Sequence, residues 1–212
     1  MSLKKRRILI TAGPTWAAID RIRVISNTAT GETGFLLADK LATQGLNVTL
    51  VIGPAGGRIK STKFKVIPFI FFNELKEIIL RELKTGTYGV VVHSAAVSDY
   101  LPEKIFSGKV KSGLKNWKIA FKPAPKLIDA IKKIYPGVFL VGFKFEPGAE
   151  KSKLIKSARA LMRRSNLDLA VANTAIGNKY RAYVLSGEKI SSPLASKKHL
   201  VIKLAGEIKK AL

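Results

Sequence analysis

Apolar runs closed by glycine and proline punctuate this chain. Residues 7–12, Arg7-Ile8-Leu9-Ile10-Thr11-Ala12, end on Gly13-Pro14, which predicts a buried parallel strand running into a loop. From Thr33 onward, Phe35, Leu36, Ala38, Leu41 and Ala42 recur at helical spacing, with Thr30 as the expected N-cap and Gly45 as the stop. Strands are expected at 47–52, 64–68 and 88–94, and a helix on the stripe Leu75, Ile78, Ile79 and Leu83. Beyond these, 126–134, 149–164 and 198–212 read as helices, and 138–143, 167–172 and 181–185 as strands. This alternation predicts an α/β fold: a doubly wound, mostly parallel, Rossmann-like sheet. Residues 101–116 interrupt the pattern, being polar, Lys-rich and longer than an ordinary βα connection, and 117–121 are expected to add a β-ribbon; such a long loop serves as a lid (flap) or a subunit contact. Nothing repeats at a fixed period and no low-complexity linker divides residues 1–212, which read as a single domain.

Composition narrows the chemistry. The 212 residues include no Cys and two His, which excludes a disulfide scaffold and thiolate metal sites, so a divalent ion would be held by carboxylates and substrate phosphates, with magnesium expected. No apolar run approaches the roughly 18 to 20 residues needed to span a bilayer, and a soluble, cytoplasmic protein is expected with no membrane partner. The charge is unusual: 38 Lys plus Arg against 14 Asp plus Glu give +24, a field that attracts nucleic acid or a phosphorylated small molecule. The basic residues are spread over 4–7, 58–65, 104–126, 151–164 and 197–210 rather than gathered in one arm, as on a solvated surface.

Ligands of open α/β sheets sit beyond the carboxyl ends of the strands, here the loops 13–34, 53–57, 94–111, 143–148 and 172–177. The first lacks the uninterrupted G-x-G-x-x-G of a dinucleotide site, which counts against an NAD(P)-dependent reductase. Instead Asp20 to Asn27 precede Thr28-Ala29-Thr30-Gly31-Glu32-Thr33-Gly34, so a helix N-terminus still offers amides to an anion.

Several segments in order carry a resemblance: Ile8-Leu9-Ile10-Thr11-Ala12-Gly13-Pro14-Thr15, Val24-Ile25-Ser26-Asn27, Thr30-Gly31, Ser94-Ala95-Ala96-Val97-Ser98-Asp99-Tyr100, Lys109-Val110-Lys111-Ser112, Pro125-Lys126-Leu127, Val141-Gly142-Phe143 and Asn166 to Asn173. Together they resemble phosphopantothenoylcysteine synthetase, or phosphopantothenate-cysteine ligase, the ligase half of a bifunctional coenzyme A enzyme family. The resemblance implies amide formation between 4'-phosphopantothenate and cysteine, driven by CTP or ATP with Mg2+ through an acyl-nucleotidylate. It implies Asn27 and Lys109 as catalytic residues, and Arg23, Asn27, Ala29 and Gly31 as substrate-binding residues. It places the nucleotide on Ser94, Ala95, Ala96, Asp99, Lys109, Pro125, Lys126, Leu127, Ile128, Phe143, Arg164 and Asn173, and assigns no metal ligand. A homodimer, with a separate decarboxylase as a further partner, is also implied. Such donors and cations suit a path that depends on orientation and on neutralising a leaving pyrophosphate.

Taken singly, the same residues have plainer roles. Asn27 can cap a helix, Asp99 can form a turn, Phe143 can fill a core and Lys109 can be a solvated loop lysine. A nucleic-acid-binding or catalytically weakened protein on the same fold is the alternative reading. The chain also departs from the family pattern, with Trp16-Ala17-Ala18 in a normally basic-acidic-Pro stretch, Glu32 where lysine is common, Ser112 ending a Lys motif and Ser165 replacing a frequent lysine. Glu32 is expected to oppose phosphate binding, since a carboxylate in the first helical turn repels the anion its neighbouring amides attract.

Overall fold

A computed structural model describes residues 7–54 and 60–212. Residues 4–6 and 58 of the basic clusters, and the part of the 53–57 loop beyond Pro54, lie outside the described residues. The elements run β1 (Arg7–Ala12), β2 (Trp16–Ala18), β3 (Val24–Ser26), α1 (Glu32–Thr43), β4 (Asn47–Ile52), β5 (Lys65–Pro68), α2 (Phe72–Lys84), β6 (Tyr88–His93), β7 (Tyr100–Pro102), β8 (Phe121–Pro123), α3 (Leu127–Ile134), β9 (Phe139–Phe145), α4 (Lys151–Ser165), β10 (Leu169–Ile176), β11 (Lys179–Ser186), β12 (Lys189–Ile190) and α5 (Lys197–Lys210).

The main sheet has eight strands in the order β12-β11-β10-β9-β6-β1-β4-β5. From β10 to β5 every pairing is parallel, whereas β11 and β12 are antiparallel. Read by order of appearance, the parallel strands follow the Rossmann sequence 3-2-1-4-5-6, so the order reverses between β1 and β6 and a ligand crevice is expected there. Alternate residues of β1 enter opposite cores: Leu9 packs with α2, α3 and α4, while Ile8, Ile10 and Ala12 pack with α1 and α5. A strand buried on both faces reads as a continuous apolar run, which is why β1, β4 and β6 were visible as such in the sequence.

Three differences from the sequence expectations have local causes. Helix α1 begins at Glu32 with Gly31 as its N-cap at φ 75 and no side-chain cap, so Thr30 is not the cap, although its hydroxyl accepts from Glu32 N at 3.4 Å. The ribbon in the long insertion pairs Tyr100–Pro102 with Phe121–Pro123, leaving 117–120 outside any strand. The hairpin of β2 and β3 was not expected, since three-residue strands carry too little alternation to register. At the other end of α1 the expected stop holds: Gly45 has φ 80 and its N–H closes on Ala42 O at 2.9 Å.

Candidate functional site

The crevice at the strand reversal is built from loops tied to one another. Ala96 N donates to Gly13 O (2.9 Å), Thr15 N to Ala96 O (3.3 Å), and Ser98 N to the buried Thr15 Oγ1 (2.9 Å), lacing the loop after β1 to the loop after β6. Ser94 Oγ donates to Thr11 O at 2.7 Å, fixing the start of the second loop. Asn27 Nδ2 donates to Ala96 O at 3.0 Å, so Asn27 acts as a cross-loop strut rather than the helix cap its local sequence allowed. Its side chain thereby sits at the crevice edge.

Two glycines explain how the backbone comes so close. A Cβ on Gly31 would lie 3.1 Å from Gly13 N, and one on Gly34 would lie 2.4 Å from Ala12 Cβ and 3.0 Å from Ser94 Oγ. Gly13, Gly31 and Gly34 therefore share the duties of a dinucleotide fingerprint, namely the turn, the open backbone and the close helix–strand approach, with residues 14–30 looped out between the first and second. The helix amides face the crevice without a side-chain cap, a ready anion site.

The crevice has two lobes. One, of about 600 Å³, is lined by Asn27, Ala29, Gly31, Glu32, Gly34, Ser94, Ala96, Phe145, Asn173 and Lys197 among others. The second, of about 470 Å³, is lined by His93, Ser98, Pro125, Lys126, Leu127, Ile128, Ser157, Leu161 and Arg164 among others. Ala95, Val97, Asp99, Phe143 and Lys144 border both lobes, so the half-buried Phe143 ring stands at their junction. Fourteen of the residues singled out by sequence thus meet in one place: Asn27, Ala29, Gly31, Ser94, Ala95, Ala96, Asp99, Pro125, Lys126, Leu127, Ile128, Phe143, Arg164 and Asn173.

Two do not join them. Arg23 is drawn to Asp20, donates to Val110 O at 3.1 Å and lies over Trp117 at 5.3 Å, so it fastens the β2–β3 hairpin to the long insertion instead of lining the crevice. Asp20 is the hub of that contact. Burial raises its carboxyl, but the N–H groups of Val110, Ile22 and Arg23 and the Arg23 guanidinium hold it well below the usual carboxylate range. Lys109 is exposed next to this anchor, outside both lobes.

Every crevice cation just named is matched by a carboxylate. Lys126 pairs with Asp99, Arg164 with Asp129 at 3.3 Å, Lys144 with Glu146 at 3.2 Å and Lys197 with Glu32. Hydrogen bonding from Lys144 lowers the Glu146 carboxyl. Glu32, expected to oppose a phosphate from its position in the first turn, is paired with Lys197 there. Ser165, at the other departure, is buried and donates to Asp129, which also receives Arg164, so this hydroxyl joins an ion pair beside the second lobe.

Three crevice residues escaped the sequence reading. His93 is buried at the floor of the second lobe with Nδ1 2.9 Å from Thr11 Oγ1, and burial pushes its imidazole down to about 4, leaving it neutral near pH 7. Lys144 follows Phe143 on β9, and its alternation on the strand was its one signal. Lys197 comes from the start of α5, far along the chain, with no local signal at all. Asn173 lines the first lobe, while its Oδ1 is itself buried beside the Tyr180 hydroxyl.

Among the described residues no three His, Asp or Glu side chains converge to hold a metal, and no helix is long and apolar enough to cross a membrane. The carboxylates of the crevice are engaged by lysine or arginine. With these carboxylates so engaged, the described part of the crevice offers no free acidic cluster.

The family model of the DNA/pantothenate metabolism flavoprotein C-terminal domain matches residues 3–212. The coenzyme A biosynthesis bifunctional protein CoaBC of Thermococcus kodakarensis is 38% identical over 222 residues, covering 100% of this chain and 53% of that protein. The chain spans about half the length of the curated relatives it matches. Among solved structures, the DNA/pantothenate metabolism flavoprotein from Streptococcus pneumoniae superposes with a TM-score of 0.87 at 23% identity, covering 98% of this chain and 100% of that one. A Cab2 mutant in complex with phosphopantothenate-cysteine superposes with a TM-score of 0.77 at 19% identity, covering 99% and 88%. At these identities the structural likeness establishes the fold.

Proposed function

Because the chain belongs to the DNA/pantothenate metabolism flavoprotein C-terminal domain family, we propose that it is a phosphopantothenate-cysteine ligase of coenzyme A biosynthesis, using a nucleoside triphosphate. The observation that carries this reading is the convergence of the family-like motifs on one two-lobed crevice at the strand reversal, with uncapped helix amides in one lobe and an aromatic ring at the junction. The Cab2 relative bound to phosphopantothenate-cysteine supports the substrate class.

In this reading the phosphopantothenate carboxylate attacks the α-phosphorus of CTP or ATP. Pyrophosphate leaves and an acyl-nucleotidylate forms. The cysteine amine then attacks the acyl carbon, the nucleoside monophosphate departs and the amide remains. The α1 amides and Gly31 receive phosphate oxygens, Asn27 orients the acyl end, and Phe143 with Pro125, Leu127 and Ile128 walls the base and ribose, with Asp99 and Lys126 at the rim. A magnesium ion would be held by the nucleotide's own phosphates, whose charge it would neutralise. For Arg23 and Lys109 to act here, the β2–β3 hairpin and the insertion fastened to it move toward the crevice together, or a second copy supplies them.

A homodimer is part of the proposal. Strand β3 is exposed along its length, and Ile22, Val24 and Ile25 present 62%, 36% and 43% of their surface to solvent, an apolar edge suited to pairing. A cytoplasmic setting and a decarboxylase that consumes the product complete the reading. The test is pyrophosphate release with phosphopantothenate, magnesium and either CTP or ATP, followed by amide formation on adding cysteine. Release that requires phosphopantothenate is expected. No release with either nucleotide from folded protein would overturn the ligase reading.

A further inference from the structure

The acid at the start of α1 looks misplaced until α5 is considered. Lys197 opens this helix, where Ser196 caps it by accepting from His199 N at 3.1 Å, and no acidic residue stands in its first turn. A lysine there opposes the helix dipole, because the N-terminal end already carries partial positive charge. A negative charge nearby offsets that cost. Glu32 does so from α1, and both side chains border the lobe that Gly31 and Gly34 open.

We propose that Lys197 is a polyphosphate-binding residue, and that Glu32 is a positioning residue that holds the amine over the glycine turn. An ammonium has three donors and a carboxylate bond need engage only one, so the amine can keep Glu32 and still reach phosphate oxygens. The uncapped amides of α1 and the Lys197 amine, carried on the first turn of α5, then face the same anion. This rests on the ligase reading for the identity of the ligand, a nucleoside triphosphate, while the charge arrangement itself recognises any short polyphosphate.

The test is calorimetric titration of the full chain with inorganic tripolyphosphate. Lys197→Ala and Lys197→Gln are expected to weaken binding at least tenfold, whereas Lys198→Ala, which removes the same charge from an exposed neighbour outside the crevice, stays within twofold. Glu32→Gln is expected to weaken binding in the native background but to strengthen it in Lys197→Ala, where the carboxylate has lost its partner. Equal effects at 197 and 198, or no saturable binding by the native chain, would overturn the binding role. Strengthening by Glu32→Gln in both backgrounds would make Glu32 an obstacle and overturn the positioning role. Tripolyphosphate binding without pyrophosphate release from any nucleotide would instead sink the ligase reading and leave the site standing.

Discussion

Lys109 and His93 have opposite standing in the sequence and in the fold. Lys109 belongs to a recognisable motif yet stands exposed, away from both lobes, so its proposed chemistry requires the insertion, or a second copy, to bring it in. Lys109→Gln is expected to slow pyrophosphate release at sub-saturating triphosphate with no change in melting temperature; unchanged turnover would return it to the role of a solvated loop lysine. His93 has no motif role yet lies buried against the second lobe. Its imidazole falls from 6.5 to about 4 on burial, so between these values the unfolded chain binds more protons than the folded one. The stability tied to its neutral form is complete above the unfolded value and is lost as pH falls through the window. In His93→Asn the pH slope of unfolding free energy across that window should flatten by up to about 1.4 kcal/mol per pH unit, read from urea melts.

At the scale of elements, the site depends on how closely α1 approaches β1. A methyl on Gly34 would meet Ala12 Cβ at 2.4 Å, so Gly34→Ala must push the helix start away from the sheet. An overpacked contact of this kind costs about 1–3 kcal/mol. Urea denaturation should register that loss, and tripolyphosphate affinity should fall with it. One of the ties between the β2–β3 hairpin and the insertion is a carboxylate, as Asp20 accepts from Ile22, Arg23 and Val110 backbone N–H groups. Asp20→Asn keeps the shape but loses the charge-assisted bonds. Faster proteolytic cutting within 103–120, with the main sheet intact by circular dichroism, is the expected result; unchanged cutting would mean the anchor lies elsewhere, for instance in Phe106 N donating to Ile19 O at 2.9 Å.

For the whole molecule, the question is what +24 does. The crevice cations are largely offset by carboxylates, so the excess charge resides mostly outside the site and acts at long range. Nonspecific binding to nucleic acid is expected at low salt and should fall steeply as salt rises, with a slope set by the phosphates neutralised. Pyrophosphate release should respond far less over the same range. A release rate that collapses in parallel with nucleic-acid binding would favour the nucleic-acid reading instead.

The sequence by itself determined the type and order of most elements, because burial on both faces of a parallel strand and on one face of a helix leaves its period in consecutive residues. It also marked the strand-end loops, where glycine, asparagine and serine replace the apolar run. The tertiary structure alone decided which distant residues meet. Gly13 and Gly31 touch across a looped-out hairpin, Arg23 turns toward the insertion, and Lys197 crosses 165 positions to reach Glu32. No local pattern records such contacts. The last of these contacts exists because α1 and α5 pack side by side on one face of the sheet, which brings their first turns together.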